Sequence, residues 1–213
     1  VSERVAEVDG TGLSYGRLVE AAALCVGRLQ SHVDTLAGGD AERGYADVGT
    51  EEVVREAGMT RGALYHQFAD KRDLFRAVLE EMLPEIGQRL YQETMARIGH
   101  DREDLQVGAR VLLGIYAEPE VRRLFLIEGP AVLGLSDWKA LQAPLSTLFL
   151  DHALRHLVEE GLIAESEMPS LNELLSGALQ QAALGIAATD DPEAARAAYA
   201  AGLDRIIQGL MRG

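Results

Sequence analysis

A single cysteine, Cys25, occurs among 213 residues, so the chain can build neither a disulfide framework nor a cysteine-based zinc site, and a reducing compartment is expected. Aromatic residues are scarce at 5%. Beyond residue 50 no run alternates β-branched with polar residues, so no strand is signalled there. Apolar runs are short: residues 21–27, the longest near the N-terminus, cannot span a bilayer, and no basic stretch precedes them as a secretory signal requires. Positive charge is in deficit, with 20 Lys and Arg against 34 Asp and Glu for a formal charge of −14, which excludes general affinity for nucleic acid or anionic membrane and leaves only local exceptions. A cytoplasmic protein without a membrane partner is expected.

What is present reads as helix. A 47% hydrophobic and 25% charged composition is that of a globular protein with a real core. Capping and breaking residues predict a short helix from Thr50, as cap, to about Ala57, ended by Gly58, and a second from Thr60 to about Phe68. Asp70 opens a longer helix toward Ile98 with a bend at Pro84; others run from about Asp104 to Ala117 and from Pro119 to Gly129-Pro130. A long helical pattern from Ser136 to Gly161 is interrupted at Pro144, Ser170 caps a helix to about Thr189, and Pro192 sits in the first turn of the last helix. The first 40 residues differ: Val5 to Tyr15 predicts a β-hairpin around Asp9-Gly10, followed by a helix from about Gly16 to Leu36. The expected architecture is all-α apart from that hairpin, with an atypical segment at 1–40, a small helical unit at 41–83 and a larger helical domain at 84–213.

Residues 50–68 have the spacing of a helix-turn-helix. If Ala63, Leu64 and Phe68 face Val53, Val54 and Ala57, then Thr60, Arg61, Gly62, Tyr65 and His66 point outward. Gly62 and Ala63 are small enough for close approach to base edges, and Arg61 can make a bidentate contact to guanine. Thr50, Thr60, Tyr65, His66 and Lys71 are candidate phosphate and backbone contacts, Lys71 from the first turn of the next helix. Six basic and six acidic residues balance between 43 and 76, so the whole −14 lies elsewhere and would orient DNA to this tip.

The segment RGYADVGTEEVVREAGMTRGALYHQFADKRDLF, with Gly62, Tyr65, Phe68 and Lys71 in a Gly-x-x-Tyr-x-x-Phe-x-x-Lys spacing, resembles the DNA-binding domain of the tetracycline-repressor (TetR) family. EPEVRRLFLIEGPAVLGLSDW extends the resemblance to residues 41–213. It implies a homodimeric, all-helical transcriptional regulator, a repressor released from a double-stranded DNA operator by a small-molecule effector; no enzyme activity, cofactor or metal is expected. One departure stands out: where such proteins carry a first helix whose aromatic plugs the small core, this chain has Leu36-Ala37-Gly38-Gly39-Asp40. Paired glycines end a helix and fill no core, so the DNA-binding unit is expected to lack that aromatic and to be the least protected part of the chain. Residues 1–40 instead resemble the opening hairpin and helix of adenylate-forming enzymes, but no phosphate loop follows.

Other patterns admit sharper and plainer readings. Gly12-Leu13-Ser14-Tyr15-Gly16 matches a nucleophile elbow, yet a helical chain offers no sheet for a triad, so an ordinary turn is preferred. His152 and His156 are one helical turn apart, a zinc-compatible spacing that suits pocket lining or plain surface as well. Tyr116, Trp138, Phe149 and His152 are the expected effector-pocket residues, chosen from large central side chains that include Tyr91 and Met95. Leu171, Leu174, Leu175, Ala178, Leu179, Ala182, Leu203, Ile206, Ile207 and Leu210 form a stripe expected to pair two subunits through their last two helices. The competing functions are an adenylate-forming or hydrolase fragment, motivated by residues 1–40 alone, and a dimeric effector-binding protein whose DNA binding is impaired.

Overall fold

The computed structural model describes residues 17–23, 45, 49–100 and 103–211, and among them every regular element is helical. The hairpin expected at Val5 to Tyr15, the nucleophile-elbow pattern, and Gly38-Gly39 lie outside the described residues. The helices are α1 (17–23), α2 (Thr50–Glu56), α3 (Arg61–Gln67), α4 (Lys71–Met95), α5 (Asp104–Ala117), α6 (Pro119–Val121), α7 (Gly129–Leu133), α8 (Leu135–Glu159), α9 (Met168–Ala187) and α10 (Pro192–Leu210). Among the described residues no helix is long and apolar enough to cross a membrane. Two compact units emerge, Val1–Met82 with Ala131–Gly134, and Leu83–Pro130 with Leu135–Gly213.

In the first unit α2 ends in a complete glycine cap. Gly58 adopts φ +64°, and the amides of Gly58 and Met59 donate to the carbonyls of Arg55 and Val54 at 3.2 and 2.8 Å. Thr60 caps α3, its hydroxyl accepting from the Ala63 amide, and Asp70 caps α4 by accepting from the Asp73 amide at 2.8 Å. Thr50 is not a cap: it is the first helical residue, Gly49 holds the cap position, and no side chain caps there. The core buries Leu18, Val19, Ala21 and Ala22 of α1 together with Val53, Val54, Leu64, Phe68, Leu74 and Phe75. An aromatic does fill this core, though not one carried by the first helix. Tyr45 is 1% exposed, its ring lies 4.3 Å from that of Phe75, and its hydroxyl donates to the Lys71 carbonyl at 2.6 Å. It follows the glycine pair in sequence, so no helix has to carry it.

In the second unit α5 is central: ten of its fourteen residues are buried, and it packs against α8, α9 and α10. α4 continues past Pro84, as expected, and two further elements continue where breakers were expected to interrupt or end them. α4 runs through Pro84 and α8 through Pro144 as single helices. Both prolines are exposed, so the carbonyl each leaves without a helical donor can turn to water. At Gly129-Pro130 the chain stays helical to Leu133 by widening: residues Arg122–Glu128 form a π-helix, with the Gly129 amide donating to the Leu124 carbonyl. In that register the Phe125 carbonyl faces residue 130, a proline with no N–H, and the Trp138 indole N–H supplies the missing donor at 2.6 Å. Arg122 secures the end of α9, its guanidinium donating to the carbonyls of Ile186, Ala187 and Thr189 at 3.3, 2.9 and 2.6 Å.

Candidate DNA-reading helix and apolar pocket

Packing of α3 on α2 through Leu64, Phe68, Val53 and Val54 leaves one face of α3 in solvent. Arg61, Gly62, Tyr65 and His66 are exposed and Ala63 is half-buried. At Gly62 an added Cβ would meet nothing closer than the Thr60 hydroxyl at 3.8 Å, so nothing in the described fold requires a glycine there. The exposed side chains are already organised. Arg61 Nη1 donates to Glu51 Oε1 at 3.0 Å, and the Tyr65 hydroxyl is hydrogen-bonded by Thr50 and Arg61, which together hold its pKa below the usual tyrosine value. Sequence reasoning missed Glu51; its signal was a carboxylate in the first turn of one helix opposite an arginine in the first turn of the next. Lys71 begins α4 half-buried, with Nζ 4.6 Å over the Tyr45 ring, so the residue expected at phosphate also clamps the core aromatic.

The second unit holds a cavity of about 500 Å³ between α4 and α8. Apolar side chains line most of it, among them Leu90, Tyr91, Met95, Leu145, Leu148 and Phe149, and its polar groups are Thr94, Asp104 and His152. Of the four expected pocket residues, Phe149 and His152 are there and Tyr116 and Trp138 are not. Those two are 2% and 0% exposed, on either side of Phe125 with ring centroids 6.3 and 6.2 Å away. The carbonyl left bare by Pro130 draws Trp138 inward. Phe149 reaches the cavity because α5 has Gly108 facing it: a Cβ at Gly108 would overlap the Phe149 ring. At one end of the cavity Asp104 is 3% exposed, and His156 Nδ1 and His152 Nε2 lie 2.7 and 3.8 Å from its Oδ2. Neither Asp104 oxygen, nor the buried Thr94 hydroxyl, nor His156 Nδ1 has an aligned hydrogen-bond partner.

The stripe expected to pair subunits divides. Leu175, Leu179, Ala182, Leu203 and Ile207 are at most 5% exposed within one chain, buried in the unit where α9 and α10 meet α5. Five of the ten residues therefore belong to the chain's own core: a long helix has two apolar edges, and period alone does not say which one its neighbour covers. Leu174 at 71% and Ile206 at 53% remain exposed, with Leu171, Ala178 and Leu210 half-buried beside them.

An exposed second helix of a helix-turn-helix, joined in one chain to a helical unit with an apolar pocket, defines a DNA-binding regulator with a ligand-sized site. Comparison with known proteins agrees. Residues 41–78 match the model for bacterial regulatory proteins of the tetR family, and residues 102–210 match that for the tetracyclin repressor-like C-terminal domain. A TetR-family transcriptional regulator from Pectobacterium atrosepticum is 31% identical, with 90% of this chain and 95% of that one covered and a TM-score of 0.66. RolR in complex with resorcinol is 21% identical over 95% of this chain and 93% of its own (TM-score 0.62). AlkX, a repressor from Dietzia implicated in n-alkane biodegradation, is 16% identical over 96% and 97% (TM-score 0.54). No curated protein matches the chain. The chain belongs to the TetR family of transcriptional regulators. Regulators of this family bind DNA operators and small-molecule ligands and form dimers. The likeness of residues 1–40 to adenylate-forming enzymes gains no support, since the family models begin at residue 41.

Proposed function

We propose that this regulator is a cytoplasmic repressor, not an enzyme, and that a compact effector with an apolar body and a hydrogen-bonding head releases it from its operator. The observation that carries the reading is the cavity of about 500 Å³, apolar over most of its wall, with unsatisfied Thr94 and Asp104 at its polar positions. Buried polar groups without partners are expected where a ligand supplies the missing bonds. RolR, of similar fold, binds resorcinol, a molecule of that general shape.

On the DNA side Arg61 reads a base, Gly62 and Ala63 admit the base edge, and Thr50, Thr60, Tyr65, His66 and Lys71 meet the backbone. Pairing of subunits uses Leu174 and Ile206 with the half-buried Leu171, Ala178 and Leu210 around them, a face whose apolar groups face water in a single chain. Gel shift with DNA flanking the chain's own gene tests the reading: a specific shift that compact apolar compounds reverse is expected. Binding equal to that of unrelated DNA would refute it. For pairing, Leu174→Arg with Ile206→Arg should give a monomer by sedimentation, and a persistent dimer would move the interface elsewhere.

A further inference from the structure

The polar end of the cavity carries more than a hydrogen-bonding head requires. Asp104 opens α5, while His152 and His156 stand one turn apart on α8, and one ligand atom from each lies within 4.8 Å of the others. The Asp104 carboxylate is 3% exposed, and neither oxygen has an aligned hydrogen bond. A carboxylate so placed is strongly unfavourable unless a cation compensates it. The His156 and His152 nitrogens, 2.7 and 3.8 Å from Oδ2, bracket the separation of about 3.3 Å that bonds of about 2.0 Å impose around a tetrahedral ion.

We propose that Asp104, His152 and His156 bind one divalent transition-metal ion of the zinc class, with an open coordination position facing the cavity. The donor set decides the class. Two imidazoles and one carboxylate suit zinc, cobalt, nickel or ferrous iron, whereas magnesium and calcium favour oxygen ligands and cuprous ion favours sulfur. Three protein ligands leave at least one position free, and Asp104 and His152 both line the cavity. A ligand entering there would complete the coordination with its head and lay its apolar part against Phe149 and Leu148. This last step rests on reading the cavity as the effector pocket; the metal site itself does not.

The test uses the full chain, stripped with chelator and titrated with Zn²⁺ by calorimetry and with Co²⁺ by visible absorption. One ion per chain and the intense absorption of low-coordinate cobalt are expected. Asp104→Asn, which keeps size and shape, and His156→Ala should each weaken binding by at least about 100-fold, at or beyond the upper end of the effect of removing a group that only orients a ligand. His100→Ala, whose ring is 60% exposed and lies against Glu160, should change nothing. Circular-dichroism melts verify that each variant is folded, and should Asp104→Asn fail to fold, His152→Ala on the exposed side replaces it. No binding by the parent chain, or binding indifferent to the ligand substitutions, overturns the site. Benzenethiol added to the cobalt form should produce a sulfur-to-cobalt charge-transfer band, and its absence in a chain that binds cobalt overturns the open position. Because the metal is titrated without effector, failure here is distinct from failure of the effector reading, which effector reversal of the gel shift tests separately.

Discussion

Truncating Tyr45 should open the DNA-binding unit while sparing the rest of the chain. Its ring is 1% exposed against Phe75, and loss of a buried aromatic costs about 3–5 kcal/mol. The hydroxyl's hydrogen bond to the Lys71 carbonyl adds about 1 kcal/mol, and the Lys71 ammonium over the ring about 0.5–1 kcal/mol. Partial collapse of the site offsets some of this, so about 4 kcal/mol is expected for Tyr45→Ala, or roughly 1,000-fold in an opening equilibrium. Tyr45→Phe keeps the ring and loses only the hydroxyl's bond, for about 1 kcal/mol and roughly fivefold. Native-state hydrogen exchange on the full chain reads each unit separately, which a global melt of a two-unit protein does not. Amides of α2 and α3 should lose protection by these factors, amides of 171–186 should not change, and operator affinity should fall with Tyr45→Ala because α3 must be ordered on binding. A loss of protection under about tenfold in Tyr45→Ala would show that Tyr45 does not close this core and that the reasoning is wrong.

Further outcomes follow from the site. Arg61→Ala should cost about 1–3 kcal/mol on the correct operator and relax sequence preference, whereas Lys71→Ala should weaken all sequences alike and lower the salt slope by about one; gel shifts across a salt series separate the two. Glu51→Gln frees Arg61 from an exposed ion pair worth at most about 1 kcal/mol and should tighten DNA binding by up to roughly fivefold, so weaker binding would make the pair an organising contact instead. Gly108→Ala should drive the Phe149 ring into the cavity, lowering stability by about 1–3 kcal/mol and weakening uptake of an apolar fluorescent probe. Hydrogen bonds from Arg89 hold the Glu118 carboxyl below its ordinary pKa of 4.5, so the pair stabilises the fold above that pH and its contribution is lost as pH falls through the lowered value. With both side chains over a third exposed the effect is under about 1 kcal/mol, and the stability difference between the parent and Glu118→Gln should shrink from pH 7 to pH 3.

Local chemistry was legible in the sequence wherever it acts within a few residues. Gly58 and Thr60 marked the turn of the helix-turn-helix because a left-handed glycine and a threonine cap satisfy backbone groups of their own helices. The outward face of α3 followed from helical period once Leu64 and Phe68 were assigned inward. The breakers at Pro144 and Gly129-Pro130 were read too strictly. Pro84 and Pro144 lie on exposed faces where water can take the abandoned carbonyl, and at Pro130 a side chain eight residues further along does so.

Fold class, the reading helix and the family resemblance were thus determined by sequence alone, since periodicity, caps and motif spacing are properties of neighbours along the chain. Which aromatic closes the small core, which of Tyr91, Met95, Tyr116, Trp138 and Phe149 face the cavity, and which edge of α9 its own chain covers were decided by tertiary structure. So was the meeting of Asp104 with His152 and His156, 48 and 52 residues away in sequence. Spacing placed the two histidines on one helix face, but only the packing of α8 against α5 brings them to a carboxylate shielded from water.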